Sequence, residues 1–438
     1  MSDFESFFSR HLYGRIRDCW NRPVTGVPGR EITLLERVSD DYNVTFRLTG
    51  RKVKTVNFAS YNYLGFAQAE GPCADAVDET VQKYAVANSS PRALAGTHDI
   101  HQRVEELVAR FVGKPAAIVA SMGFATNSTN IPALVGQGCL IISDELNHSS
   151  IVTGARNSKA TVRVFKHNDV ADLEDCLRDA ISQGTPRLRR PWKKILVIVE
   201  GLYSMEGSVC NLPGIVALKD KYKFYLYMDE AHSIGALGKS GRGVCDYWGI
   251  SPDKVDILMG TFTKSFGAAG GYIAGSKELI AHLRSRSYSS VYGESMTPLV
   301  CQQVISSLTI ILGEDGTDDG QRRIKRLSDN SNYLRHRLKK LGFVVQCDHD
   351  SPIIPLLVYH PGKCTSISRQ LLERGFSVVV VGYPATSLAT SRIRFCVSAA
   401  HTKEDLDRVI AATNEVGGNL NLKLERIPYV PEEGVNDD

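Results

Sequence analysis

An α/β fold is predicted for this chain: a large domain built on a mostly parallel sheet, followed by a smaller C-terminal α/β domain. Three observations predict it. Short β-branched runs alternate with helix-length periodic segments over roughly 240 residues, the rhythm of repeated βαβ units with helices on both faces. The pattern changes character near Thr297, where long helical periodicities come first and strands follow. Finally, 438 residues at 43% hydrophobic and 23% charged suffice for a large core in two domains or more.

In chain order, residues 1–50 read as an N-terminal arm. Its first part, Phe4 to Trp20, is amphipathic, setting Phe4, Phe7, Phe8, Leu12, Tyr13 and Ile16 against Arg10, Arg15 and Arg17. Packing on the core or on a partner subunit is the reading, with a position on a membrane surface as the alternative. Residues 51–296 form the large domain. Its strand candidates are Ala116–Ala120, Cys139–Ser143, Thr161–Phe165, Ile195–Glu200, Phe224–Asp229, Val255–Met259 and Tyr272–Gly275, with helical patterns such as Val104–Phe111, Val170–Ile181 and Leu212–Tyr222 between them. Residues 297–438 form the small domain. Helices are predicted at Pro298–Leu312 and Gln321–Leu341, strands at Ile353–Tyr359, Phe376–Gly382 and Ile393–Ser398, and a last helix near Glu404–Val416. Glu433 to Asp438 reads as a loose acidic tail.

The net charge of +4 is small for this length and gives no case for nucleic-acid binding. Ten cysteines stand singly, without CxxC pairs or metal-ligand spacing, which suits reduced thiols in a cytosol-facing protein and no metal site. In such a compartment the Asn43-Val-Thr45, Asn127-Ser-Thr129 and Asn147-His-Ser149 triplets are coincidental matches to the glycosylation pattern. No run reaches the roughly 18 apolar residues of a membrane span, and no signal peptide opens the chain.

The chemistry gathers at strand ends. Gly260-Thr-Phe-Thr-Lys264-Ser-Phe-Gly267 follows an apolar strand and leads into Gly270-Gly271. A restricted, partly desolvated lysine amine there, beside hydroxyls and flexible glycines, is what a Schiff-base lysine needs. Upstream, the apolar strand from Phe224 ends in Asp229, and His232 follows three residues later. Pyridoxal phosphate requires a carboxylate against its pyridine nitrogen and gains from a donor near its phenolate oxygen. Asp229 and His232 suit those two places.

Ser121 to Asn127 opens a helix at a glycine, Gly123, where free N–H groups and the dipole can seat a phosphate. His148 follows the next strand and falls at the same carboxyl-end edge, where it can stack on a flat ring. Ser204, in Gly201-Leu-Tyr-Ser204, adds a hydroxyl at that edge. Arg392 and Arg394 alternate onto one face of a small-domain strand, and a guanidinium fork there suits a substrate carboxylate. Each segment taken singly also fits a plainer account: a solvated loop lysine, a helix-capping carboxylate, a surface ion pair. Their coincidence favours the cofactor.

Together, Gly260–Gly267, Asp229-Glu-Ala-His232, Asp144–Ser149 and Arg392–Thr402 resemble the α-oxoamine synthases, fold-type I pyridoxal-phosphate enzymes. The resemblance is closest to the catalytic, long-chain-base subunit 2 type of the serine palmitoyltransferases. It runs from Phe4 to about Leu424 and includes Leu12 to Pro23, Ser60-Tyr-Asn-Tyr-Leu-Gly65, Arg190 to Lys194 and Val378 to Gly382.

The resemblance implies a set of roles. Lys264 links to the cofactor and moves protons at the substrate Cα. Asp229 holds the pyridine nitrogen, His232 the phenolic oxygen, and His148 stacks on the ring. Thr261 and backbone groups of Gly123 and Phe124 hold the phosphate, Ser204 lines the cofactor, Arg394 binds the serine carboxylate, and Tyr61 lies near the amino acid.

The reaction implied is decarboxylating condensation of L-serine with palmitoyl-CoA to 3-ketosphinganine, CoA and carbon dioxide, the first step of sphingolipid synthesis. The alternatives are alanine, glycine or another acyl-CoA as substrate, or a cofactor-binding subunit without catalysis. A heterodimer with a non-catalytic, subunit 1 type protein is implied, at the cytosolic face of the endoplasmic reticulum. Catalytic members carry a transmembrane helix before the Leu12-Tyr13 region. This chain begins where that helix would end: either the sequence is truncated or this form is held at the membrane by partners. Two further departures stand at Glu294, where the family shows a hydroxyl residue that reaches the facing subunit's phosphate site, and at Pro91.

Overall fold

Aliphatic and β-branched strings such as Leu140–Asp144 and Ile195–Glu200 have no polar face, and that is how a strand covered by helices on both sides must read. The computed structural model describes residues 7, 13–14, 16–383, 385–426 and 429. The chain divides into two compact units, one of Met1–Gln68, Ser204–Ser208 and Arg326–Asp438, the other of Ala69–Tyr203 and Val209–Lys325.

The second unit carries a seven-stranded sheet. Across it lie Ala116–Ala120, Gly271–Gly275, Ile257–Thr261, Tyr225–Asp229, Ile195–Glu200, Leu140–Asp144 and Thr161–Phe165. Only Gly271–Gly275 runs antiparallel to its neighbours; the pairs on the other side are parallel. The mostly parallel sheet is therefore as predicted. Ile141, Leu196, Ile198, Tyr227, Met259 and Ile273 pack with Ile131 and Ile151 of the covering helices into one buried cluster. Register places Glu200 opposite Asp229 and Gly271 opposite both Thr261 and Ala120, so the carboxyl ends of the parallel strands share one edge.

Several boundaries shift. The strand expected at Cys139–Ser143 is Leu140–Asp144, and Val255–Met259 is displaced to Ile257–Thr261, because pairing and not hydropathy decides where a ladder starts. The helix expected from Val104 begins at Asp99, where His98 and His101 close a reciprocal capping box. Pro298–Leu312 spans the residues predicted for it.

The first unit holds two small sheets. Across the predicted boundary between arm and large domain at residue 50, Glu31–Val38 pairs antiparallel with Arg47–Asn57, a hairpin not expected from the sequence. The run Phe376–Gly382, expected as one strand, is two: Phe376–Ser377 adds in parallel to Val56–Asn57, while Val379–Val381 pairs with Arg392–Cys396. An unbroken valine run has no period to mark such a break. Most of the amphipathic stretch Phe4–Trp20 before Ile16, and the acidic tail, lie outside the described residues.

Candidate active site

In the second unit, four loops leave the shared edge. Asp229 ends its strand only 3% exposed. Its Oδ1 accepts the Ala231 N–H at 2.9 Å, and its Oδ2 accepts from Asn127 Nδ2 at 2.7 Å. Donors at both oxygens fix the orientation of this buried carboxylate.

One strand over, Glu200 is buried and accepts the His148 backbone N–H. Burial, then the neighbouring Asp229, pushes the Glu200 carboxyl well above the ordinary range. His148 caps the helix Ser149–Ser158 by accepting the Ser150 N–H at Nδ1. Its ring meets Phe124 edge-on at 6.1 Å. Desolvation lowers the His148 pKa, Lys264 lowers it further, and Asp229 opposes both.

Lys264 is half-buried in the loop after Thr261, and its charge acts on both His148 and Glu200. That loop closes through Phe262 N–H to the Gly270 carbonyl and Ala268 N–H to the Phe262 carbonyl, each 3.0 Å. Ser265 Oγ donates to the Ile234 carbonyl at 2.7 Å, tying the lysine loop to the loop of the buried His232. Glu230 pins the latter by accepting from Ser233 Oγ and the Val244 N–H. Burial raises the Glu230 pKa to about 7.

The helix Gly123–Leu134 opens with no side-chain cap, so its first N–H groups are donors without an internal acceptor. A Cβ on Gly123 would sit 3.2 Å from Thr261 Cγ2 and 3.5 Å from the Gly270 carbonyl, which explains the glycine. Thr261 and Thr263 pair their hydroxyls at 3.0 Å on the adjoining loop. Uncapped helix N–H groups, two threonine hydroxyls, a buried carboxylate and a lysine are the donor and acceptor set of pyridoxal phosphate, and the residues fit it.

The first unit holds the other predicted residues. Arg394 is 4% exposed; its Nη1 donates to the Ser204 carbonyl at 3.0 Å and its Nη2 to Tyr61 Oη. Its guanidinium lies 4.9 Å from the Tyr61 ring centre. Burial works against the Arg394 charge, yet Cys396, Tyr61 and Tyr63 hold its pKa above the ordinary arginine value. Its Nε is buried without a hydrogen-bond partner among the described residues. Arg392 differs: it donates to the Met205 carbonyl at 2.8 Å and meets Glu206 at 3.4 Å. Ser204 stands with these residues, offering its carbonyl to Arg394.

Asn127, Ser150 and Glu200 were not singled out from sequence. Asn127 lies one helical turn past Gly123, on the turn facing the strand ends, and that spacing is the signal that could have found it. It is 1% exposed, so its glycosylation triplet is indeed coincidental. The two family departures prove to be neighbours: Pro91 and Glu294 form one antiparallel bridge, and Ser295 N–H donates to the Ser90 carbonyl at 3.3 Å.

Known proteins agree with this geometry. The sequence profile of the aminotransferase class I and II family matches residues 53–412. Serine palmitoyltransferase 3 of Homo sapiens is 55% identical over 97% of this chain and 77% of its own length. Serine palmitoyltransferase 2 of Schizosaccharomyces pombe is 56% identical over 96% and 70%, and long chain base biosynthesis protein 2a of Oryza sativa 52% over 98% and 87%. Among solved structures, Sphingomonas wittichii serine palmitoyltransferase superposes with a TM-score of 0.82 at 26% identity, covering 96% of this chain and 98% of that one. A high-resolution structure of SPT with a PLP internal aldimine gives the same figures. The chain belongs to the aminotransferase class I and II family, and within it to the serine palmitoyltransferases.

Proposed function

We propose that this chain is a pyridoxal-phosphate-dependent acyltransferase that condenses L-serine with palmitoyl-CoA, releasing CoA and carbon dioxide and giving 3-ketosphinganine. The observation that carries the reading is the buried, doubly hydrogen-bonded Asp229 with His148 and Lys264 at one sheet edge, in a chain 51–56% identical to named serine palmitoyltransferases. Pyridoxal phosphate, when bound, supplies an aldehyde for the amino group and an electron-poor ring that stabilises negative charge at Cα.

The chain's own residues do the rest. Asp229 keeps the ring nitrogen protonated, because a buried carboxylate of fixed orientation favours a positive partner. His148 covers the ring face, and His232 serves the phenolic oxygen. Gly123 and Phe124 N–H groups, with Thr261, hold the phosphate. Lys264 would hold the cofactor aldehyde, and its partly desolvated amine would take the proton from serine Cα. The orphan Nε of Arg394 suits an arriving carboxylate, and Tyr61 steadies the guanidinium. Arg392 is already engaged by Glu206, which favours Arg394 for that task.

We read the chain further as working beside a non-catalytic subunit of its family, at the cytosolic face of the endoplasmic reticulum. Tyr288, Tyr292 and Leu94 leave large apolar side chains exposed on segments joined by the Ala93 N–H to Ser290 carbonyl bond, and such a patch supports a partner surface. Among the described residues no helix is long and apolar enough to cross a membrane.

The test is product mass spectrometry with serine and palmitoyl-CoA, the chain being co-expressed with a subunit 1 type partner, beside Lys264→Ala. A 3-ketosphinganine signal lost in the variant is expected. A product from alanine, glycine or another acyl-CoA alone would reassign the substrates.

A further inference from the structure

Behind the ring-facing groups lies a hydrogen-bond chain whose direction can be deduced from one end. Asp229 Oδ2 can only accept, so the Asn127 atom 2.7 Å away must be the amide nitrogen, a flipped amide setting oxygen against oxygen. Asn127 Oδ1 then points at Tyr227 Oη, 2.6 Å away, and the phenol must donate. The second Nδ2 hydrogen goes to Ser150 Oγ at 2.9 Å. The Ser150 backbone N–H points at His148 Nδ1 at 3.2 Å, which makes that nitrogen an acceptor, so the Ser150 hydroxyl 2.7 Å away gives its hydrogen to it as well. Nδ1 thus receives two donors and cannot carry a proton, so the ring's hydrogen is on Nε2. Asn127, Ser150 and Tyr227 are all buried.

We propose that Asn127 and Ser150 are positioning residues that fix Asp229 in one orientation and lock His148 as the neutral, Nε2-protonated tautomer. The inference rests on the reading of Asp229 and His148 as the pair that meets the cofactor ring. A neutral imidazole beside a protonated pyridine avoids a like-charge contact, and the Asn127 donor holds the Asp229 carboxylate in place. The titratable and charged groups bearing on His148 are Asp229 and Lys264, with Glu200 on its backbone N–H. Tyr227 sets the amide the right way round, so the lock joins the strand Tyr225–Asp229 to the helices Gly123–Leu134 and Ser149–Ser158.

The experiment uses the full chain with its partner subunit and reads three things: cofactor affinity by equilibrium dialysis, the visible absorbance of bound cofactor against pH, and nitrogen-labelled histidine NMR of the cofactor-free protein. Asn127→Ala is expected to weaken cofactor binding about ten- to a hundredfold, the range for a hydrogen bond to a buried charge. Ser150→Ala is expected to cost about two- to tenfold and to introduce a pH-dependent absorbance change as His148 gains a proton, and Ser150→Thr to restore the parent profile. Melting of the cofactor-free Ser150 variants close to the parent excludes a merely structural effect.

Parent-like affinity and pH profile in both Asn127→Ala and Ser150→Ala, or a His148 signal from the Nδ1-protonated tautomer, overturns the proposal. If Asp229→Asn and His148→Ala also leave the cofactor undisturbed, the reading of the site itself has failed instead.

Discussion

Two buried charges, one in each unit, are handled in opposite ways. In the second unit Asp229 has hydrogen bonds at both oxygens and a neutral amide behind it, so its position is set by the protein alone. In the first unit Arg394 spends two nitrogens on Tyr61 and the Ser204 carbonyl and leaves Nε without a partner. A group that serves a resident cofactor can be finished in advance. One that serves a passing carboxylate has to keep a donor in hand, although an unmet buried donor costs about 1–3 kcal/mol.

The sharpest way to break this contrast is to remove Lys264, the group proposed to join cofactor and substrate chemistry. Lys264→Ala should lower turnover at least about a thousandfold while the far-ultraviolet circular dichroism and melting stay near those of the parent. Next comes Arg394→Ala, expected to raise the KM for serine about ten- to a hundredfold with the visible absorbance of bound cofactor intact; Arg392→Ala should change that KM less. An equal effect of the two on steady-state kinetics would erase the distinction drawn between them.

The smallest effects are on stability, and here the units oppose each other in sign. Glu230, raised from an ordinary 4.5 to about 7, favours the fold below pH 4.5 and loses that contribution as pH rises through 7. His401, 2% exposed, is lowered by burial from 6.5 to about 4; its contribution is present above pH 6.5 and lost as pH falls toward 4. Its Nδ1 accepts the Ser398 N–H and its Nε2 meets the Asn57 carbonyl, which holds the ring neutral. Relative to the parent, Glu230→Gln should therefore gain unfolding free energy in urea between pH 5 and pH 7, by an amount of order 2–3 kcal/mol. An unchanged pH profile would show that Glu230 is ionised throughout.

Sequence made the second unit more legible than the first. Apolar strands ending in Asp229, Asp144 and Thr261 announce both the sheet and the edge where chemistry collects. Lys264, Asp229 and His148 were readable because each follows such a strand. Asn127 and Ser150 were not, since their use depends on which helix turn faces which strand end, and a polar residue in a helix usually faces water. In the first unit, Arg47–Asn57 hides its strand character because most of its residues are exposed and charged. The break within Phe376–Val381 has no chemical mark at all, as valine follows valine across it.

The division of the first unit along the chain has a consequence for how the protein is made. Its hairpin, Glu31–Val38 with Arg47–Asn57, emerges early from the ribosome, but the strand Phe376–Ser377 that completes the edge at Val56–Asn57 comes more than 300 residues later. Asp405, which binds Arg30 through paired contacts of 2.6 and 2.9 Å, arrives later still. For as long as the whole second unit is being synthesised, that edge waits without its neighbour. Arg47, Arg51, Lys52 and Lys54 line the waiting strand, and such charge is what keeps an open edge from pairing with another nascent chain.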